Sequence, residues 1–201
     1  PNISLNTINL TLNGSAVYFS NGSVNGTIEG NSIYLTNSTW TSVSPIDLTF
    51  PIGAISVVIS NYTAVNRNLI SYTFGGLVHG IYVVQTSFAT VRNNTVLYAR
   101  NSSLVFQQSN DSVATGNNAT FISGTGRGYL VEDSHRGFFD ANNFSGGFAN
   151  AGVSLSVSSN SNFSNMTIIG TSGGIALINS SNFLFSDINV SGSNLALNLI
   201  N

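Results

Sequence analysis

Titratable side chains are scarce in this 201-residue chain, and the place where they gather is where chemistry would have to happen. Arg127, Glu132, Asp133, His135, Arg136 and Asp140 stand close together, with Asp111 a short way before them. Carboxylates flanked by Arg and His are the groups an enzyme cleaving acidic polysaccharide would use for acid–base work. The spacing argues against it. Glu132 and Asp133 are adjacent on an extended segment, so their side chains leave opposite faces, while Asp140 falls at a different part of the chain path. No catalytic residue is assigned on this basis. Glu132, Asp133, His135, Arg136 and Asp140 are kept as a possible ligand site. With two histidines, His79 and His135, and no cysteine, no histidine or thiolate metal set is available, and Glu132 with Asp133 is thin support for calcium. No metal or cofactor is expected.

The second chemical signal is a modification signal. Sixteen asparagines have Ser or Thr two places on without an intervening Pro: Asn2, Asn9, Asn13, Asn21, Asn25, Asn37, Asn61, Asn93, Asn101, Asn110, Asn118, Asn143, Asn162, Asn165, Asn179 and Asn189. That is about twice what chance pairing gives, and it predicts covalent N-glycans on an extracellular chain. Threonine sequons are the better acceptors, which favours Asn9, Asn25, Asn37, Asn61, Asn93, Asn118 and Asn165. Asn162 and Asn165 are too close for both to carry a bulky glycan. The competing explanation is structural: Asn suits turns, and stacked Asn side chains bond along a repeat axis.

Composition narrows the partners. Charged residues are 6% of the chain, all five cations are arginine, and the net charge is -2. A clustered basic face is missing, so nucleic acid is not expected as a partner. Hydrophobic content of 42% argues against disorder, and no apolar run is long enough for a membrane-spanning helix. What remains is a folded body that uses Asn, Ser and Thr where most proteins use Lys and Glu. Such a surface changes little in strong acid, because few carboxylates can gain protons there.

The elements that position these residues come from a repeat. Windows starting at Ser32, Ala54, Gly80, Gly128, Gly152 and Gly174 align without gaps, and one starting at Ser103 follows after a short insertion. The second position holds Ile33, Ile55, Ile81, Leu104, Tyr129, Val153 and Ile175. The fourth holds Leu35, Val57, Val83, Phe106, Val131, Leu155 and Leu177, so these two columns share one face of a strand. The twelfth and seventeenth positions return to apolar residues, among them Val43, Val65, Val91 and Phe139, then Leu48, Ile70, Val96 and Phe144. The seventh position is Ser38, Ser60, Thr86, Ser109, Ser134, Ser158 and Ser180, a hydroxyl in every coil. Stacked about 4.8 Å apart, these predict a ladder along a repeated bend.

Segments such as Gly174-Ile-Ala-Leu-Ile-Asn-Ser-Ser-Asn182 and Gly80-Ile-Tyr-Val-Val-Gln-Thr-Ser87 resemble the repeats of the pectin-lyase-like and NosD-like parallel β-helix families. The resemblance covers about residues 14 to 201 and implies an all-β fold: a right-handed, single-stranded parallel β-helix of about eight coils of 20 to 26 residues. Activity is not implied, since that superfamily spans lyases, hydrolases, tailspikes, adhesins and archaeal surface proteins. Residues 1–201 are read as a single domain, a segment of a longer chain or a subunit with open ends.

Two side columns carry interaction expectations. Trp40, Tyr62 and Phe88 share the ninth position and would stack as an aromatic ladder, expected in the core; exposed, they would be a sugar-binding strip. The third position, which should face outward, holds Tyr34, Ser56, Tyr82, Val105, Leu130, Ser154, Ala176 and Ala196. Tyr34, Tyr82, Val105 and Leu130 therefore predict a lateral interface with another copy or another surface subunit. The functional expectation is a structural glycoprotein of a cell-surface layer, filament or virion, a rigid rod without turnover. The alternative is a carbohydrate-binding adhesin or tailspike-like module, and the third reading a polysaccharide lyase or hydrolase.

Overall fold

The computed structural model describes residues 1–9, 11–12, 15–20, 22, 24–34, 36–38, 53–71, 73–75, 79–120, 126–146 and 151–200. Leu35, Trp40, Val43 and Leu48 of the sequence alignment, and the sequons Asn13 and Asn21, lie outside them.

The chain is a parallel β-solenoid of about seven turns built on three walls, and no helix occurs among the described residues. Each wall is an eight-stranded, all-parallel sheet. The long wall runs from Val17–Phe19 through Gly53–Val58, His79–Val84, Leu104–Gln107, Arg127–Glu132, Ala151–Ser156 and Gly173–Ile178 to Leu195–Ile200. Two short walls follow it in every coil, as in Thr90–Arg92 and Thr95–Val96 or Phe138–Asp140 and Asn143–Ser145. A further three-stranded sheet of Thr11–Leu12, Thr36–Ser38 and Thr73–Gly75 lies beside the first coils.

Register follows the alternation of the sequence. On the long wall Ile55, Ile81, Leu104, Tyr129, Val153 and Ile175 stack directly, as do Val57, Val83, Phe106, Val131, Leu155 and Leu177. The short walls contribute Val65, Val91, Ala114, Phe139, Phe163 and Phe185 in one file. The other file is Ile70, Val96, Ala119, Phe144, Ile168 and Val190. All but those near the final coil are fully buried in one continuous core. Within it the Phe139 and Phe163 rings stack at 4.6 Å, and Phe163 and Phe185 at 5.3 Å. One coil buries too few side chains to offset its ordering entropy, so this core belongs to the stack.

The first window is the exception. Ile33 pairs with Ile8 and Ile70 on a short wall, whereas the long-wall partner of Ile55 is Val17. Likewise Ile28, rather than Val43, pairs with Val65. From residue 17 to residue 55 the coil is 38 residues long, whereas later coils keep close to the expected length. The 22-residue step from Ile33 to Ile55 imitates a normal coil and joins two different walls. Tyr34 is therefore not in the file of Tyr82; Tyr18 is, through Ser56. At the other end Asn198, not Ala196, pairs with Ala176.

Corners are made by single residues in the left-handed region. Between the two short walls these are Leu5, Gly30, Arg67, Asn93, Gly116, Ala141, Asn165 and Asp187, one in each coil. At the end of the long wall they are Ile59, Gln85, Gln108, Asp133, Val157 and Asn179. Positive φ is costly for β-branched Ile59 and Val157, and the hydrogen bonds of adjacent coils hold them there. The small residue heading each long strand has its own cause. A Cβ on Gly128 would lie 2.4 Å from the Gly152 carbonyl oxygen and 2.7 Å from the Phe144 ring.

Two ladders line the corners. In the first, the backbone N–H of Ser60 donates to Thr86 Oγ1, and so on through Ser109, Ser134, Ser158 and Ser180, at 2.9 to 3.3 Å. Each hydroxyl donates in turn to the carbonyl two residues before it. This is the predicted hydroxyl ladder. The second is built of asparagine: Asn6, Asn31, Asn68, Asn94, Asn117 and Asn142. The backbone N–H and the Nδ2 of each donate to the Oδ1 of the next at 2.9 to 3.1 Å. From Asn31 onward these side chains are buried, and the next position in the file is Met166.

Candidate functional site

The charged coil does not converge. Glu132 ends a long-wall strand and accepts from Gln107 Nε2 at 3.2 Å. Asp133 occupies the left-handed corner and accepts from Gln108 Nε2 at 3.3 Å, with Gln85 Nε2 donating to Gln108 Oε1 at 2.9 Å. The next bend carries His135, whose Nε2 lies 3.7 Å from Asp133 and whose Nδ1 lies 2.9 Å from Ser159 Oγ. Arg136 binds Asp111 of the preceding coil bidentately, both contacts at 2.7 Å, and these hydrogen bonds hold the Asp111 carboxyl below its ordinary range. Asp140 is apart from all of these on the first short wall. It accepts from Ser164 Oγ at 2.6 Å and Asn165 Nδ2 at 2.8 Å, and both bonds lower its pKa. Each carboxylate is thus held by its own polar partner, and no two share a proton path. Glu132, Asp133, His135 and Arg136 line one edge of the solenoid; Asp140 does not belong with them.

That edge also carries the aromatic pair. Tyr62 and Phe88 stack at 4.8 Å with planes 2° apart. They are 54% and 45% exposed, so the expected core placement is corrected. Both sit at left-handed corner positions, which turn side chains out to solvent. Register places Asn25 before them, while Trp40 lies outside the described residues. Because the rings stack on each other, their facing surfaces are already used. Ring edges and the two outermost faces remain available to a ligand.

The outer face of the long wall differs from the sequence expectation. Tyr82 and Val105 are 7% and 2% exposed and form a small second apolar cluster with Val58 and Val84, against which Leu130 packs. Of the four expected interface residues, two are thus buried within the chain, Leu130 is half-buried, and exposed Tyr34 lies on a different wall. Polar groups rim this cluster. The Tyr82 hydroxyl donates to Gln107 Oε1 at 2.5 Å, and burial, then the charge of Glu132, pushes its pKa up to about 12. The His79 ring stacks against Tyr82 at 5.6 Å, and its Nδ1 accepts the Ser102 backbone N–H at 3.1 Å. Burial lowers His79 to about 4, with the positive charge of Arg127 acting in the same direction. His79, Ser102 and Arg127 were not grouped by sequence reasoning. A signal existed: each lies two residues before an inward residue of one file, Ile81, Leu104 and Tyr129.

The sequons separate cleanly from the ladder. None of the six ladder asparagines begins a sequon, and none of the sequon asparagines with a described side chain is buried. Asn2, Asn9, Asn25, Asn61, Asn93, Asn143, Asn162, Asn165, Asn179 and Asn189 are exposed, and Asn101, Asn110 and Asn118 are half-buried. The side chain of Asn37 is outside the described residues. An open depression at the corner of the short walls is lined by Glu29, Asn66, Arg67, Arg92 and Asn93, with Arg67 paired to Glu29.

No family model matches the chain, and no curated protein matches it by sequence. Solved structures do. The PfbA surface adhesin of Streptococcus pneumoniae superposes with a TM-score of 0.57 at 11% identity, covering 98% of this chain and 60% of the adhesin. The chain therefore spans about 60% of that adhesin's length. The A-module of a mannuronan C-5 epimerase from Azotobacter vinelandii superposes at 0.52 with 12% identity, over 94% of this chain and 68% of the module. The fold is a parallel β-helix. At this identity the likeness extends to the fold alone.

Proposed function

We propose that this protein is a rigid, N-glycosylated rod of an extracellular surface, such as a surface layer, filament or virion, acting through shape and self-association without turnover. The separation of the asparagines carries this reading. Were the sequons by-products of the buried ladder, where Asn is structurally required, they would coincide with it, and none does. Asn25, Asn93, Asn165 and Asn179 stand at left-handed corners that favour Asn in any case. Asn2, Asn9, Asn143, Asn162 and Asn189 are exposed without a left-handed backbone, and these carry the reading. Support also comes from the carboxylates, which are individually satisfied and geometrically dispersed, a poor arrangement for acid–base catalysis. Fold likeness to a surface adhesin is compatible with an extracellular location.

Glycopeptide mapping of the native material tests the proposal. Occupancy is expected at the exposed threonine sequons Asn25, Asn61 and Asn93. Asn165, whose Nδ2 is committed to Asp140, and half-buried Asn118 should be poorly occupied. A chain without glycans in its native source would overturn the reading, as would electron micrographs showing only isolated, unassociated molecules.

A carbohydrate-binding module is the second reading, favoured by the exposed Tyr62–Phe88 pair. Loss of oligosaccharide binding in Tyr62→Ala would support it.

A further inference from the structure

Two sequon asparagines occupy one corner file and use their amides differently. Asn93 and Asn165 both sit in the left-handed bend between the short walls, three coils apart. Asn165 turns back onto the preceding coil, its Nδ2 donating to Asp140 Oδ1 at 2.8 Å. For Asn93 the corresponding neighbour is Asn66, which pairs with Arg92 as Asp140 pairs with Ser164. No such bond forms there. Among the described residues Asn66 Oδ1 is covered and accepts nothing, and Asn93 Nδ2 has no acceptor. The Asn93 amide oxygen is turned instead to the following coil, where a Cβ on Gly116 would lie 2.4 Å from it. Glycine in that left-handed bend, at φ 64°, leaves the oxygen its room. Nδ2, the atom to which a sequon glycan is attached, therefore faces away from Gly116 and is open.

Asn93 stands at the rim of the open depression, of about 220 Å³, whose other sides are Glu29, Asn66, Arg67 and Arg92. These residues come from its own coil and the two before it. Arg67 is held by Glu29, whereas exposed Arg92 pairs with no carboxylate among the described residues. The depression is smaller than pockets that enclose a drug-sized molecule, so it has room for one sugar ring and not for a free oligosaccharide. So few contacts hold a free monosaccharide feebly. A sugar already bonded to Asn93 is different, because a short tether supplies an effective concentration on the order of millimolar.

We propose that the first sugar of an Asn93-linked glycan folds back into this depression, donating a hydroxyl to Asn66 Oδ1 and lying along the Arg92 side chain, whose guanidinium donates to the ring substituents. It rests on the N-glycosylation already proposed. In that linkage Asn93 Nδ2 loses one proton and bonds the anomeric carbon of a glycosyl phosphate donor, and the displaced phosphate carries the proton away. The covered Asn66 oxygen turns outward by rotation of its amide when the hydroxyl is offered, which relieves an unmet acceptor. The Arg92 stem covers the apolar face of the ring while its charged head stays in water. So seated, the sugar bridges the 38-residue first coil to the regular stack that follows it.

Glycopeptide mapping, amide hydrogen exchange and urea unfolding of the chain produced in its own source test the site. The wild-type chain is compared with Thr95→Val, which removes the sequon and keeps Asn93 in its corner, each with and without Arg92→Ala. Asn93 is expected to be occupied, and the Arg67 amide to exchange severalfold more slowly in the wild-type chain than in Thr95→Val. Arg92→Ala should lower the urea midpoint of the glycosylated chain and leave that of Thr95→Val unchanged, the difference isolating the contact between sugar and side chain. Thr95→Ser, which keeps the sequon, should behave as wild type. Equal Arg67 exchange in the wild-type and Thr95→Val chains would overturn the inference, as would an equal effect of Arg92→Ala in both. An empty Asn93 beside occupied Asn25 and Asn61 would also overturn it, and each of these three results leaves the glycosylated rod standing. A chain without glycan at any sequon would overturn both.

Discussion

His79 is a base that the fold keeps uncharged, and this makes it the main acid-sensitive group in a chain otherwise poor in titratable side chains. Unfolded, a histidine titrates near 6.5; folded, His79 titrates near 4 because it is desolvated beside Arg127. Between those values the unfolded chain binds the extra proton, so stability falls as pH drops from about 6.5 to about 4 and is level on either side. A shift of this size corresponds to about 3 kcal/mol. The aspartates act elsewhere. Asp111 and Asp140 have depressed pKa values, so their contribution is present above the ordinary carboxylate range and fades only below it. Both are solvent-screened and contribute little. Urea unfolding at pH 7 and pH 4 should show the wild-type chain losing stability, and His79→Phe losing little over the same window. Equal losses in the two chains would show that the pH dependence arises elsewhere. The sequence alone indicates general acid tolerance; the buried histidine qualifies that, because burial of one side chain outside the core was not readable from spacing.

At the scale of elements, the two ladders show what the sequence reveals and what it conceals. The hydroxyl file was legible because Ser or Thr recurs at one place in the alignment from Ser60 to Ser180. The asparagine file was not, because Asn is so common here that a column of it does not stand out, and the sequons draw attention to other Asn residues. Asn94 accepts from the backbone N–H and the Nδ2 of Asn68 and donates to Asn117 and to the Val65 carbonyl. Asn142 likewise accepts both bonds from Asn117 and donates to the Ala114 carbonyl, with Met166 beyond it. Replacing either by Met takes the acceptor from two buried donors of the preceding coil and the donor from one carbonyl, so Asn94→Met and Asn142→Met should each cost about 3 kcal/mol at about 1 kcal/mol per orphaned group. Chemical denaturation of the two variants measures the cost. A negligible loss in both would mean that the ladder is held by backbone pairing and not by its amides.

For the whole molecule, a periodic stack makes register the property that decides folding. Six of the seven sequence windows lie in their true register, and the seventh fails only because a 38-residue first coil contains a 22-residue step of normal appearance. Spacing identifies a coil length but not which wall a strand occupies, and Ile33 and Ile55 are chemically identical. The same property predicts how the molecule tolerates shortening. Ile81 stacks on Leu104, so deleting residues 80–102 removes one coil and joins His79 to Ser103 with every file intact. Thr86, Asn94 and Val91 leave together, and Ser60, Asn68 and Val65 meet Ser109, Asn117 and Ala114 instead. Nearest-neighbour stacking means that such a chain keeps its β-structure and loses roughly the stability of one repeat and its interface. Deleting Tyr82 alone instead slips one half of its strand by a single residue, turning either Ile81 or Val83 away from the core. Circular dichroism and urea unfolding should find the first shortened chain folded and cooperative and the second, although nearly full in length, the less stable of the two. Should both fold alike, the vertical files could not be what determines this structure, and the core would have to be tolerant of slippage between coils.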